Sequence, residues 1–144
     1  MKKLILAAVI AISLTATAFA GTNTEKVSTS FKKAWPAASN INWKMNGMVT
    51  TISFTVDNLN MQAFYDEDGT FLGTSRAVNL TDLPAAAQTT LKEKYQDYTA
   101  TEAIEMNYTA TGLNYYVSME NDTKKFILQI AQDGAVKVFK KLRK

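Results

Sequence analysis

Residues 64–74 read FYDEDGTFLGT, and residues 129–139, an offset of 65, read QIAQDGAVKVF. The first stretch resembles a cation loop, because Asp66, Glu67 and Asp68 precede Gly69. A helix–loop–helix calcium loop needs oxygen ligands at loop positions 1, 3 and 5, glycine at 6 and a bidentate acid at 12. With Gly69 at the glycine position, the first ligand position falls on Phe64 and the last on Ser75. Neither can serve, and the flanks alternate apolar and polar residues as strands do. The second stretch keeps Asp133-Gly134 but has Ala131 and Gln132 where the other acids stand. What both stretches share is the Asp-Gly pair of a tight hairpin, where glycine accepts positive φ. The stretch therefore reads as a turn between strands. Asp66 and Asp68 remain weak candidates for a cation, and no other metal site is expected.

The correspondence extends outward without a gap. Setting 41–74 against 106–139 pairs Asn42 with Asn107, Gly47 with Gly112, Ser53 with Ser118 and Asp57 with Asp122. Apolar positions follow: Met48 with Leu113, Ile52 with Val117, Phe54 with Met119, Met61 with Phe126 and Tyr65 with Ile130. Upstream the offset becomes 60, and Val27, Phe31 and Trp35 meet Ala87, Leu91 and Tyr95. Such self-similarity reads as a duplication.

Each copy predicts one helix followed by four strands. Thr22 with Glu25 forms a capping box; Val27, Phe31 and Trp35 make a helical stripe, which Pro36 ends. In the second copy Thr81 or Asp82 caps, Pro84 sits in the first turn, and Ala87, Leu91 and Tyr95 form the stripe. Asn46-Gly47 predicts a hairpin turn, after which Met48, Ile52, Phe54 and Val56 point inward, as do Met61, Ala63 and Tyr65. The later strands are expected near 102–109, 113–120, 125–131 and 135–141. The fold class is α+β: two tandem repeats, 21–79 and 80–144, each one helix packed on a four-stranded antiparallel sheet.

The first 20 residues, MKKLILAAVIAISLTATAFA, have two lysines, an apolar run and a small-residue Ala18-Phe19-Ala20 end. This is the pattern of a secretory signal cleaved after Ala20. No later stretch approaches the ~20 apolar residues of a membrane span. Without Lys2 and Lys3 the chain carries 14 basic and 13 acidic residues, so its overall charge gives no reason to expect nucleic acid. The expected location is periplasmic or secreted.

The chain has no histidine and no cysteine. The commonest general base, the thiol nucleophile and the usual zinc ligands are therefore missing together. Ser30 and Lys33 match S-x-x-K, but the other motifs of penicillin-recognising enzymes are absent, and both read as the polar side of the first helix. No enzyme and no cofactor is expected. The basic end, VKVFKKLRK, reads as a guarded edge strand. Trp35, Trp43 and Tyr95 read as fillers of the helix–sheet seam.

Pleating sends the neighbours of the inward residues to the other side of the sheet. There Val49, Thr51, Ser53 and Thr55 would join Gln62, Phe64, Asn114, Tyr116, Ser118, Glu120, Ile127 and Gln129. Val49, Thr51, Phe64, Tyr116 and Ile127 are the candidate partner-binding residues, since this face is more apolar than solvation requires and carries aromatic anchors.

A helix ending in F-x-x-x-W-P, a strand with Trp43, the stretch AFYDEDGTFLGT and Leu83-Pro84 opening a second helix resemble the PepSY-like secreted proteins of Bacteroidetes, grouped with the β-lactamase-inhibitor-like fold. The resemblance covers nearly all of the chain after residue 20. It implies two helix-plus-four-strand repeats with an exposed sheet face, used in the inhibitor proteins to hold a β-lactamase. The function it implies is an exported, non-enzymatic module that holds or inhibits an envelope or secreted protein. The alternative is a small-ligand or calcium carrier using a cleft between the repeats and the Asp66–Asp68 turn.

Overall fold

The computed structural model describes residues 23–144. Helix α1 (Asn23–Ala34) precedes β1 (Ser39–Asn46), β2 (Val49–Val56), β3 (Leu59–Asp66) and β4 (Phe71–Ala77). A 3-10 turn (Leu80–Asp82) and helix α2 (Ala85–Lys94) lead to β5 (Thr99–Tyr108), β6 (Gly112–Glu120), β7 (Lys125–Ala131) and β8 (Val136–Leu142). The expected signal segment, its cleavage after Ala20 and the Thr22 cap lie outside the described residues. Among those residues no helix is long and apolar enough to cross a membrane.

The eight strands form one antiparallel sheet in sequence order, not two sheets of four. The join is the pairing of β4 with β5, where Gly73 faces Tyr108 and Ala77 faces Ile104. Arg76 and Glu105 lock it with paired bonds of 2.9 and 3.1 Å. The hydrogen bonds to Glu105 also hold the guanidinium pKa above its ordinary value.

Both helices supply cores on the same side of this sheet. Val27 and Phe31 of α1 join Ile52, Phe54, Ala63 and Tyr65. Leu83 and Ala87, at the start of α2, join Ala103, Val117, Met119, Leu128 and Ile130. The aromatic fillers lie where helix meets sheet: Trp35 packs on Phe54 at 5.0 Å, Trp43 edge-on to Phe31 at 6.2 Å, and Tyr95 on Phe126 at 5.8 Å.

Two local expectations shift. Asn46 pairs directly with Val49, so Gly47 and Met48 form the turn and Met48 is 63% exposed instead of inward. Glycine at the first of two central positions suits a type II′ hairpin, which moves the turn by one residue. Likewise Thr81 and Asp82 do not cap α2 but lie in the 3-10 turn, where Asp82 Oδ2 accepts the Asn79 N–H at 2.8 Å. Pro84 stands at the N-cap of α2, and Gln88 ties the turn to the helix by donating to Leu83 O and Thr81 O.

Candidate functional site

The two Asp-Gly turns make the same bonds 65 residues apart. Gly69 N–H donates to Asp66 O and Asp66 N–H to Thr70 O; Gly134 N–H donates to Ala131 O and Ala131 N–H to Ala135 O. Both glycines have positive φ, 80° and 89°. Asp66 Oδ1 accepts two backbone N–H groups, from Asp68 and Thr70, at 2.9 Å each. That carboxylate is engaged in shaping the turn. No cluster of three His, Cys, Asp or Glu that could hold a metal ion occurs among the described residues.

Opposite the helices, the candidate partner-binding residues do gather on one face. Thr51 lies opposite Phe64 across β2 and β3, and Phe64 opposite Gly73. On the other side of the β4–β5 join, Ile104 pairs with Tyr116, Tyr116 with Gln129, and Ser118 with Ile127. Phe64, Ile104, Met106, Tyr116 and Ile127 form one apolar cluster to which neither helix contributes a residue. Gly73 leaves the space this needs, since a Cβ there would stand 2.9 Å from the Tyr108 ring. Tyr108 instead packs on Phe64 at 5.7 Å.

The face is less open than the alternation suggested. Thr51, Phe64, Tyr116 and Ile127 retain 7, 1, 7 and 0% of their surface, and only Val49 is half-buried. Cross-strand neighbours shield one another, and Phe139 sits edge-on to Tyr116 at 5.1 Å. The accessible surface belongs to the border: half-buried Val49, Leu72 and Tyr108, and exposed Phe139. Phe64 and Tyr116 are thus packed rings; cutting back such a ring costs about 3–5 kcal/mol. Ile104 and Met106 were absent from the sequence reading, although their alternation with Ala103, Glu105 and Asn107 carried the signal.

The hydrogen bonds at the centre of this face join neutral groups. Gln129 Nε2 donates to Tyr116 Oη at 3.2 Å and to Asn114 Oδ1 at 3.3 Å, while Gln62 bridges Ser53 and Ser75 at 3.4 Å. Burial pushes the Tyr108 and Tyr116 phenols up, so both remain protonated donors at neutral pH. The Thr51 hydroxyl is buried with no hydrogen-bond partner among the described residues. The centre of this face offers apolar contact and neutral hydrogen bonds, while Lys44, Lys137 and Lys140 stand in register with Thr51, Gln129 and Ile127.

Solved structures share the architecture. A BLIP-like protein from Bacteroides fragilis superposes with a TM-score of 0.75 at 19% identity, over 88% of this chain and 90% of that one. The fold is BLIP-like. A DUF2874 family protein from Bacteroides ovatus gives 0.73 at 16% identity, covering 85% and 89%. A Bacteroides eggerthii protein assigned provisionally to the periplasm gives 0.72 at 14%, covering 87% and 89%. No family model matches the chain, and no curated protein matches it in sequence. At these identities the likeness carries the fold alone.

Proposed function

We infer that the chain is an exported, non-enzymatic binding module of the PepSY-like kind, made of two tandem units, 21–79 and 80–144. It acts in the periplasm or outside the cell after cleavage near Ala20. Its sheet face holds or inhibits an envelope or secreted protein. The observation that carries this reading is the apolar cluster around Phe64, Tyr116 and Ile127 on the face to which neither α1 nor α2 contributes a residue. Buried Thr51, Phe64, Tyr116 and Ile127 set the floor; Val49, Leu72, Tyr108 and Phe139 supply contact surface. The BLIP-like fold supports the reading by analogy of architecture.

A photo-crosslinking side chain at Gln129, on this face, tests it against one at Thr89, exposed on α2. In cells exporting the protein, a discrete protein adduct is expected from position 129 and none from 89. Equal adducts from both positions, or none from 129, would remove the proposed site.

A further inference from the structure

On the helix side of the sheet, past the C-terminal end of α2, lies a cleft of about 480 Å³. Its floor is aromatic: Tyr98 meets Phe126 edge-on at 4.8 Å and Tyr95 lies 5.8 Å from the same ring. Val138 of β8, 46% exposed, forms the facing wall. Lys94, Lys124, Lys125 and Lys141 stand around the rim. Among the described residues only Lys125 of these four is in an ion pair, with Glu120 at 3.8 Å. The other three ammonium groups line an apolar hole with no paired carboxylate among the described residues.

The positive charge continues beyond the cleft through Lys137 and Lys140 of β8 and past its end through Arg143 and Lys144, and residues 134–144 contain no acid. Among the described residues this strand bonds only to β7, which leaves its outer edge without a partner there. Seven extended residues span roughly 23 Å at ~3.3 Å each, longer than a ligand filling the cleft alone would need. The charge is also local, because the chain after residue 20 is nearly neutral overall.

We propose that this cleft and β8 together bind an acidic, extended segment of a partner polypeptide, one apolar side chain seated on Tyr98 and Phe126 and flanking carboxylates meeting the lysines. Lysines on an edge strand repel a second copy of the same edge. The same charges select an acidic chain, as complementary potentials do at interfaces. The cleft lies on the opposite side of the sheet from the Phe64–Tyr116 cluster, and the proposal does not depend on the reading given to that face.

The probe is a fluorescein-labelled decapeptide of alternating glutamate and valine with a central tryptophan, titrated with the exported protein and followed by anisotropy. Binding is expected at low salt and should weaken as salt screens the charges. Lys124→Glu with Lys141→Glu should lower affinity about tenfold or more. Val138→Asp, or serine for the peptide tryptophan, should do the same, whereas Met48→Glu in the exposed β1–β2 turn should not. All three altered positions at the cleft are exposed, so melting curves should not move. Unchanged affinity in the lysine variant, or equal binding of a peptide with lysine for glutamate, would overturn the proposal. So would sedimentation with phosphatidylglycerol vesicles that depends on Lys124 and Lys141 while the peptide fails to bind, which would assign the site to a lipid surface.

Discussion

The two helix-covered cores fill equivalent positions with different side chains. In the first, Val27 on α1 is matched with the small Ala63 on β3; in the second, the small Ala87 on α2 is matched with Leu128 on β7. Val27 and Ala87 are 60 residues apart, Ala63 and Leu128 65, so the large and small members have changed places. Phe31, Phe54 and Tyr65 likewise become Leu91, Met119 and Ile130. A packed interior constrains total volume more tightly than the identity of any one side chain. The first core is consequently a cluster of rings, with Phe31 at 5.0 Å from Phe54 and 6.4 Å from Tyr65, and the second is mostly aliphatic.

The largest expected effect tests how much rests on that ring cluster. Phe31→Ala, at 1% exposure, should cost about 3–5 kcal/mol in urea denaturation. Leu91→Ala, half-buried at the equivalent place, should cost about half as much. Equal losses would mean that the two helices contribute alike despite their different faces.

Next come the turns. A Cβ on Gly69 would come within 3.0 Å of the Lys26 backbone, and one on Gly134 within 2.8 Å of Ala86 Cβ. Lys26 and Ala86 are themselves 60 apart, so each turn is tucked under its own helix in the same way. Gly69→Val and Gly134→Val should each cost about 2–4 kcal/mol, combining the positive-φ penalty with overpacking. A cost in one turn only, by the same denaturation assay, would break the equivalence.

The exchange of large and small residues can be imposed on the first core. Ala63→Leu alone should destabilise by about 1–3 kcal/mol through overpacking. Adding Val27→Ala should recover part of that loss, and a double-mutant cycle measures how much. Strict additivity would show that the two positions do not share space.

Alkaline pH separates the tyrosines. Burial raises the Tyr65, Tyr108 and Tyr116 phenols above their ordinary value. A folded-state pKa above the unfolded value near 10 means the folded state holds these protons more tightly. Their contribution to stability is complete below pH ~10 and is lost as pH rises through the folded values. Melting temperature should therefore fall above pH ~10, with tyrosinate absorbance lagging behind that of the denatured chain. The smallest effect belongs to the acids of the first turn. Asp66→Asn should change stability by no more than about 0.5 kcal/mol, because an amide oxygen can still accept from Asp68 and Thr70. Calcium should not shift the melting curve of wild type relative to this variant; a wild-type-specific rise would restore the cation reading.

Much of the architecture is local and was legible as such. Hydrophobic alternation with period two marked Ile52, Phe54, Val117 and Met119 as helix-facing, and the Asp-Gly pairs marked two turns with matching hydrogen bonds. These signals arise within a few residues, where backbone geometry and burial of one face leave little choice. Met48 escaped because an Asn-Gly turn and a Gly-Met turn differ by one residue, and pairing with the neighbouring strand selects between them. The merging of eight strands into one sheet depended on β4 meeting β5 across a connection that contains α2. No local pattern encodes that pairing; the free edges of β4 and β5 and the space at Gly73 allow it. The burial of Phe64, Tyr116 and Ile127 was hidden for the same reason. Side-chain alternation tells which face a residue occupies, whereas its exposure depends on neighbours brought there by other strands, among them Ile104, Met106 and Phe139. The basic cleft beside β8 is likewise tertiary, since Tyr98, Lys124 and Lys141 meet only when α2's end, the β6–β7 turn and the last strand are packed together.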